Sequence, residues 1–399
     1  MGDPFEAIVG VAHVERPAAA RLAGARVDAV VWPADAHELA ACLRAASEAK
    51  LAIVACGGGT RQHLGNPLDS EACVRLELGR IADHVDVNRD EGIATLDAGV
   101  RIGALGARLE ACAKTSLLSY LPAEGTVGGA LAADPFGPDW TLDRRLPNDV
   151  LGIEVALANG ALAAAGGRVV KNVTGFDLVR LYCGSLGTLG VITRATFRLR
   201  ALPECERIVS ARFASLEAGL LAVVASAAVS AELFAAALRV DGEGAELLVR
   251  LVGDAKAVEH KAAQLPGESA PLETWARLRA ALATVPAAGR ARVRLSARPS
   301  DVAGLCRVAS DVAGAAALRA VLPLAGSVVV EVEDAQLPLL SAAAERADAV
   351  FFAERAPGAG AAPCDVYGAA PDSLALMRAV KARFDPQRVL SPGRFVGGI

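Results

Sequence analysis

Three glycines in succession, Gly57-Gly58-Gly59, directly follow the apolar run Leu51–Cys56 and constrain this chain more than any other feature. An apolar run of that length reads as a buried strand, and the glycines end it on a sharp turn that gathers several backbone N–H groups at one concave point. Such a turn suits phosphate oxygens. Two familiar phosphate loops do not fit it. A dinucleotide fingerprint starting at Gly57 needs glycine at position 62, which is Gln62, and a following helix, whereas Gly65-Asn66-Pro67 arrives almost at once. A Walker A loop needs Gly-Lys-Ser/Thr, which the chain lacks. Taken alone, the loop reads equally well as a tight turn with no ligand.

It does not stand alone. Pro122-Ala-Glu-Gly-Thr-Val-Gly-Gly-Ala130 is a second glycine turn, and Gly184-Ser-Leu-Gly-Thr-Leu-Gly-Val-Ile-Thr193 a third that leads into a strand. Between them lies Lys171-Asn-Val-Thr-Gly-Phe-Asp-Leu178, ending in a helix start. Fourteen of the 39 glycines fall within 57–65, 125–137 and 166–190, about a threefold enrichment over the average of the whole chain.

The first half reads as alternating strands and helices. Val27–Val31 is a strand, and Asp35 stands three residues before Glu38, the spacing of a capping box for a helix reaching about Glu48. With the Leu51–Cys56 strand these make a βαβ unit. Strands are expected at Val74–Leu78, His84–Asn88 and Ile93–Asp97, and a helix at Ile102–Ala113. Ile153–Ala158, Asn159-Gly160 and Ala161–Ala164 read as a hairpin with a two-residue type I′ turn. Leu189–Arg200 alternates as a half-buried strand. In the second half, Leu216–Ala237 reads as one or two alanine-rich helices, Glu246–Val252 and Ser327–Val332 as strands, Pro357–Pro363 as a loop and Asp372–Arg383 as a helix.

Length sets two or three domains for 399 residues. The hydrophobic fraction of 53% rests largely on alanine, and the longest uncharged apolar stretch, 218–231, has 14 residues, too short to span a bilayer. Net charge is −4 without a Lys/Arg tract, which argues against nucleic acid or an anionic membrane surface as partner. No signal peptide or myristoylation pattern is expected at the N-terminus. Eight scattered cysteines without a C-x-x-C pair read as reduced, mostly buried thiols, so no metal centre is expected.

The order and spacing of these loops resemble the FAD-binding domain of the vanillyl-alcohol oxidase and p-cresol methylhydroxylase flavoprotein superfamily. Lys171–Leu178 followed by Gly184–Thr193, and the ending Phe384-Asp-Pro-Gln-Arg-Val-Leu-Ser-Pro-Gly-Arg394, resemble its D-lactate and glycolate dehydrogenase branch. Within it the chain is most similar to the smaller FAD-binding subunit of bacterial glycolate oxidase. The likeness is strong over 27–203, moderate over 374–396, and general over 204–373.

The resemblance implies an α+β fold. A two-part FAD-binding domain over 1–203 (core 27–200) precedes a smaller α+β cap or substrate domain over 204–399, whose segment 374–396 returns to the flavin. It implies FAD contacts from Gly57, Gly58, Gly59, Thr60 and Arg61 at the pyrophosphate. Pro122, Thr126, Val127, Gly128 and Gly129 are expected along the flavin and ribityl chain. Gly187, Thr188, Gly190, Val191 and Ile192 are expected at ribityl, diphosphate and adenosine. Some members attach FAD covalently through a histidine beside the first glycines. Thr60 takes that place here and His63 comes three residues later, so noncovalent FAD is expected. Two family asparagines are replaced, by Asp134 and Ser391, each implying a weakened contact.

Oxidising an α-hydroxy acid on a flavin needs a proton acceptor and a cation for the carboxylate. Of five histidines, only His260 lies beyond the FAD-like part, on an exposed-looking helix, and the clustered histidines of the larger subunits have no counterpart. Arg394, Lys171 and Arg61 are the weak candidates for binding the substrate carboxylate, Arg394 equally as an ion-pair partner. The implied protein is an oxidoreductase subunit of a hetero-oligomer working on glycolate, a small 2-hydroxy acid, in glyoxylate metabolism. Its implied partners are a larger FAD-binding catalytic subunit and an iron–sulfur subunit. The expected place is cytoplasmic, or peripheral at the inner face of the membrane through those partners. A self-sufficient 2-hydroxy-acid (D-lactate-type) dehydrogenase and a flavin-free scaffold are the alternatives.

Overall fold

The computed structural model describes residues 3–141, 144–168, 176–227, 234–241, 244–358 and 362–399. The chain divides into two compact units. The first comprises Met1–Pro135, Arg145–Leu202 and Ala370–Ile399, and the second Phe136–Arg144 with Pro203–Ala369.

The first unit holds two sheets. In one, Ala25–Val31, Ala72–Glu77 and Ile53–Cys56 run parallel in that order, with two short strands at the Ala25–Val31 edge. The expected βαβ crossover is present, but Ala72–Glu77 sits between its two strands. The crossover helix, Ala36–Ala49, starts because the Asp35 carboxylate accepts the His37 and Glu38 amides at 2.8 and 2.9 Å. The return arm of the capping box shifts by one residue: Glu38 accepts the Ala34 amide at 2.7 Å. Leu39, Leu43 and Ala46 line one helix face and are wholly buried against Val31 and Ile53 in one cluster.

The second sheet is antiparallel, in the order Leu162–Gly166, Val150–Ala156, Val191–Arg198, Ile93–Asp97, Val85–Asn88. Val191–Arg198 lies in its centre and is buried on both faces rather than half-buried. Its hairpin neighbour turns differently from expectation. Only Gly160 takes a positive φ, and its amide bonds the Leu157 carbonyl at 2.9 Å while Leu157 pairs with Ala161. This is a type I turn closed by a left-handed glycine, the three-residue loop that gives a bulge, not a type I′ turn.

The second unit is built on one eight-stranded sheet, antiparallel throughout, in the order Glu268–Ala270, Cys205–Phe213, Gly244–Gly253, Phe234–Asp241, Leu318–Leu322, Ser327–Glu333, Arg290–Ser296, Val350–Ala353. The helical expectation for 216–237 fails at its end. The helix is Leu216–Ala227, residues 228–233 lie outside the described ones, and Phe234–Asp241 is an inner strand of the sheet. Alanine's helix propensity yields there to a central strand whose residues 235–238 are all buried. Helices 302–313 and 337–346 bury their apolar faces on one side of the sheet, and helix Leu272–Ala283 buries Trp275, Leu278 and Leu282 on the other.

Residues 136–141 are anchored in this unit by one buried carboxylate. Asp139 accepts from Arg250 at 2.7 Å, from the Trp275 indole at 2.9 Å and from Arg279 at 2.7 and 3.1 Å. A carboxylate so fully paired repays its desolvation; stripped of donors it would not.

Candidate functional site

The glycine turn after Ile53–Cys56 opens on a recess of about 70 Å³ lined wholly by the first unit. By the same measure one water needs about 10–15 Å³. The recess therefore takes a small polar group rather than an entire dinucleotide. Gly57, Gly58, Gly59, Thr60, Arg61, Thr126 and Gly129 of the expected site line it, together with Arg394. Among the described residues, the backbone amides of Gly57 through Thr60 donate to no protein acceptor. Four successive unused donors around a residue at φ +71°, Gly59, form an anion-accepting concavity. No carboxylate is among the described lining residues. The recess thus fits a phosphate-type group.

The glycines are not equivalent. A Cβ on Gly57 would stand 2.0 Å from the Thr126 hydroxyl, and one on Gly58 would stand 1.8 Å from the Glu124 carbonyl. These two are glycine because the second loop packs directly on the first. A Cβ on Gly59 would meet nothing within 4 Å, so Gly59 is the position that leaves space for a ligand.

Thr126 joins the two loops. It is buried, caps helix Val127–Ala133 through the Gly129 amide at 3.3 Å, and pairs with Arg101, whose guanidinium donates to the Glu124 carbonyl. The other expected residues of this loop lie in its scaffold. Val127 is wholly buried with its amide on the Val100 carbonyl. Gly128 donates to Ala98 at 2.8 Å, where a Cβ would clash, and the Pro122 carbonyl closes the turn with Gly125.

The third loop contributes one wall residue, Leu186, at φ +52°. Gly187, Thr188, Gly190, Val191 and Ile192 do not line the recess. Thr188 is buried and bonds Ser185 with both its hydroxyl and its amide, Gly190 packs on the Ala156 carbonyl and the Tyr182 ring, and Val191 and Ile192 enter two separate apolar clusters. Lys171 lies outside the described residues, as does 171–175 as a whole.

The C-terminal segment completes the recess. The Ile53 amide donates to Val389 at 2.7 Å and the Ser391 amide to Ile53 at 2.8 Å, so the tail runs parallel beside the strand that feeds the glycines. A buried bolt holds it there. Lys381 spends its three donors on the Thr188 carbonyl, the Asp385 carboxylate and the Leu390 carbonyl at 2.7, 2.7 and 2.8 Å, while Asp385 accepts the Val389 and Leu390 amides. Burial pulls the Lys381 ammonium below its ordinary value, against the opposing pull of Asp385. Arg394, 4% exposed, reaches the carbonyls of Gln62 and Leu64, at 3.0 Å for Gln62, and so braces the far side of the glycine turn.

The two replaced asparagines share a backbone cause. Asp134 ends its helix at φ +39° and Ser391 stands at φ +41°, left-handed positions that asparagine tolerates better than most residues. Asp134 also pairs with Arg145. Asparagine suits both positions by its backbone preference, and Ser391 also lines the recess.

Sequence reasoning missed Gln62, Leu186 and the Lys381–Asp385 bolt, while Ser391, singled out there as a replaced asparagine, does line the recess. Gln62 donates to the Ala55 carbonyl at 3.1 Å and closes the turn. The i, i+4 spacing of Lys381 and Asp385 at the end of helix Leu374–Phe384 was the available signal. Of the histidines, His63 does not line the recess, and His260 is exposed and bonded to Gln264. Burial pushes the Cys42 and Cys183 thiols up to about 12 and those of Cys73 and Cys306 up to about 11, which removes them as nucleophiles. No group of His, Cys, Asp and Glu among the described residues could hold a metal ion, and none of the described helices is long and apolar enough to cross a membrane.

Residues 27–166 match the FAD binding domain family, and residues 358–395 match the C-terminal domain of FAD linked oxidases. Over 199 residues the chain is 32% identical to a D-lactate dehydrogenase of Archaeoglobus fulgidus, covering 49% of this chain and 44% of that protein. It is 29% identical over 196 residues to glycolate oxidase subunit GlcD of Bacillus subtilis, covering 48% and 41%. The matched stretch thus spans less than half the length of either relative. Among solved structures, p-cresol methylhydroxylase with substrate bound superposes at a TM-score of 0.71 over 98% of this chain and 95% of that one, at 16% identity. That likeness shows a common fold. The chain carries the FAD binding domain and the C-terminal domain of FAD linked oxidases on a p-cresol methylhydroxylase-type α+β fold.

Proposed function

We propose that this chain is the FAD-binding subunit, GlcE-like, of a glycolate oxidase (dehydrogenase) complex that oxidises a small 2-hydroxy acid, glycolate to glyoxylate, and passes electrons to partner subunits. The observation that carries the reading is the set of four unused amides, Gly57–Thr60, at a recess with no carboxylate among its described lining residues. Those amides, with Arg61, hold the FAD pyrophosphate. Thr126 and Gly129 fix the second loop against it, and Arg394 keeps the turn closed from behind. Bound FAD, held noncovalently, supplies the acceptor for the hydride of the 2-hydroxy acid.

The subunit role rests on the sequence: the clustered histidines of the larger subunits have no counterpart in the chain, and His260, the one histidine beyond the FAD-like part, lies exposed on a helix. The partners on this reading are a larger flavoprotein subunit and an iron–sulfur subunit, through which the complex sits at the inner face of the membrane. One specific observation favours a second reading: the likeness to a D-lactate dehydrogenase is as strong as that to a glycolate oxidase subunit, which suits a self-sufficient enzyme.

Turnover of glycolate and D-lactate with a dye acceptor separates the two. The expected result is acid-releasable FAD in the purified chain with negligible turnover until partner subunits are added. Robust turnover by the isolated chain would sink the subunit reading.

A further inference from the structure

Strand Arg290–Ser296 reads Arg-Ala-Arg-Val-Arg-Leu-Ser. Ala291, Val293 and Leu295 are wholly buried in the main core of the second unit, so Arg290, Arg292 and Arg294 project from the opposite face of the sheet. That face carries a cavity of about 440 Å³, lined by Arg239, Arg277, Arg292, Arg319 and Glu331 and walled by helix Leu272–Ala283 through Leu278. Its volume lies within the range of small-molecule sites.

The charges at this cavity do not balance. Arg239 pairs with Glu246, Arg292 with Glu354 at 3.4 Å, and Arg290 and Arg319 share Glu331 at 3.0 and 3.2 Å. Arg277 has no partner among the described residues. The four lining arginines and their three glutamate partners leave one positive charge, and Arg290, which shares Glu331 without lining the cavity, brings the excess to two. Arg292 adds a second, independent observation. Its side chain is 6% exposed and its Nε is buried without a hydrogen-bond partner, although its other nitrogens reach the Leu282 and Ala281 carbonyls. An unused buried guanidinium donor costs stability unless something accepts it.

We propose that this cavity binds a small dianion, of the dicarboxylate or phosphate class, seated between Arg277 and Arg319. A doubly charged oxyanion matches the excess charge, and guanidinium forks suit both carboxylate and phosphate oxygens. The apolar wall of Leu278 and Leu282 leaves room for a short carbon chain beside the charged end. The inference stands on the second unit alone and does not depend on flavin binding.

Isothermal titration of the purified full-length chain at low ionic strength tests it, with succinate, inorganic phosphate and acetate as probes. Saturable binding of succinate or phosphate is expected, at least about tenfold tighter than acetate, and whichever of the two binds more tightly identifies the class. Arg277→Glu reverses a charge on an exposed side chain. It should weaken that binding by about tenfold or more while leaving FAD content and the melting temperature unchanged. Arg277→Lys should retain most of the binding. Absence of saturable heat with both dianions, equal binding of acetate, or equal affinity in Arg277→Glu would overturn the proposal.

Discussion

The glycine recess of the first unit and the arginine cavity of the second both present positive polarity to an anion, by opposite means. The recess uses backbone amides of consecutive residues, 57–60, which need no side chain and carry no full charge. The cavity uses guanidinium groups from three strands and a helix, spread from Arg239 to Arg319. Backbone donors are positioned by the turn itself. Side-chain donors depend on every strand register around them, so the second site is the more easily broken and the first the more sharply specified.

The largest expected effect attacks what positions the recess. Lys381→Met leaves Asp385 buried and without its cation, at a cost of about 3–5 kcal/mol. Urea unfolding should show that loss, and the Lys381→Met/Asp385→Leu double variant should recover much of it. If the single and double variants lose the same stability, the bolt is not an ion pair of consequence.

Next in size, Asp139→Asn in the second unit strips a buried carboxylate from Arg279, Trp275 and Arg250, for about 2–4 kcal/mol. It should lower the unfolding midpoint while FAD content per folded chain stays unchanged. Flavin loss in that variant would show that the two regions are not built independently.

Arg394→Lys keeps the charge but loses the planar guanidinium, whose Nη2 reaches both the Gln62 and Leu64 carbonyls. FAD affinity, measured by flavin fluorescence, should fall about tenfold, corresponding to about 1.4 kcal/mol. Unchanged affinity would remove Arg394 from the account of the recess.

A smaller effect is set by pH. The Cys42 thiol, ordinarily at 9.0, is pushed up to about 12 by burial, so the folded chain keeps a proton that the unfolded chain releases. Its contribution is fully present below about pH 9 and is lost as pH rises through about 12. Urea midpoints measured between pH 8 and 10.5 should decline with pH, less steeply in Cys42→Ala. The smallest effect is Ser391→Asn, which suits the left-handed backbone there and should raise stability by about a few tenths of a kcal/mol.

Legibility followed the same division. The glycine turn, its feeding strand and the capped helix 36–49 were readable because each is decided within a few residues: a run of glycines, an aspartate at the cap, an apolar face at helical spacing. The individual glycine roles were not, because only the approach of Glu124 and Thr126 tells Gly57 and Gly58 from Gly59. Residues 234–237 misled for a like reason. Alanines there are compatible with helix, and their place between two strands of a sheet is a long-range fact. The arginine face left a trace in the Arg-x-Arg-x-Arg alternation of 290–294, yet its meaning depended on strands from four parts of the chain.

If the glycine turn holds an anionic cofactor by its amides, two variants at Gly59 should separate charge from bulk. Gly59→Asn and Gly59→Asp place side chains of nearly equal size at the same left-handed position, facing the same open space, and differ in charge. Acid-released FAD should be close to one per chain in the wild type, largely retained in Gly59→Asn, and reduced about tenfold or more in Gly59→Asp at equal folded protein. Equal FAD content in the two variants, or none in the wild type after reconstitution, would contradict the account.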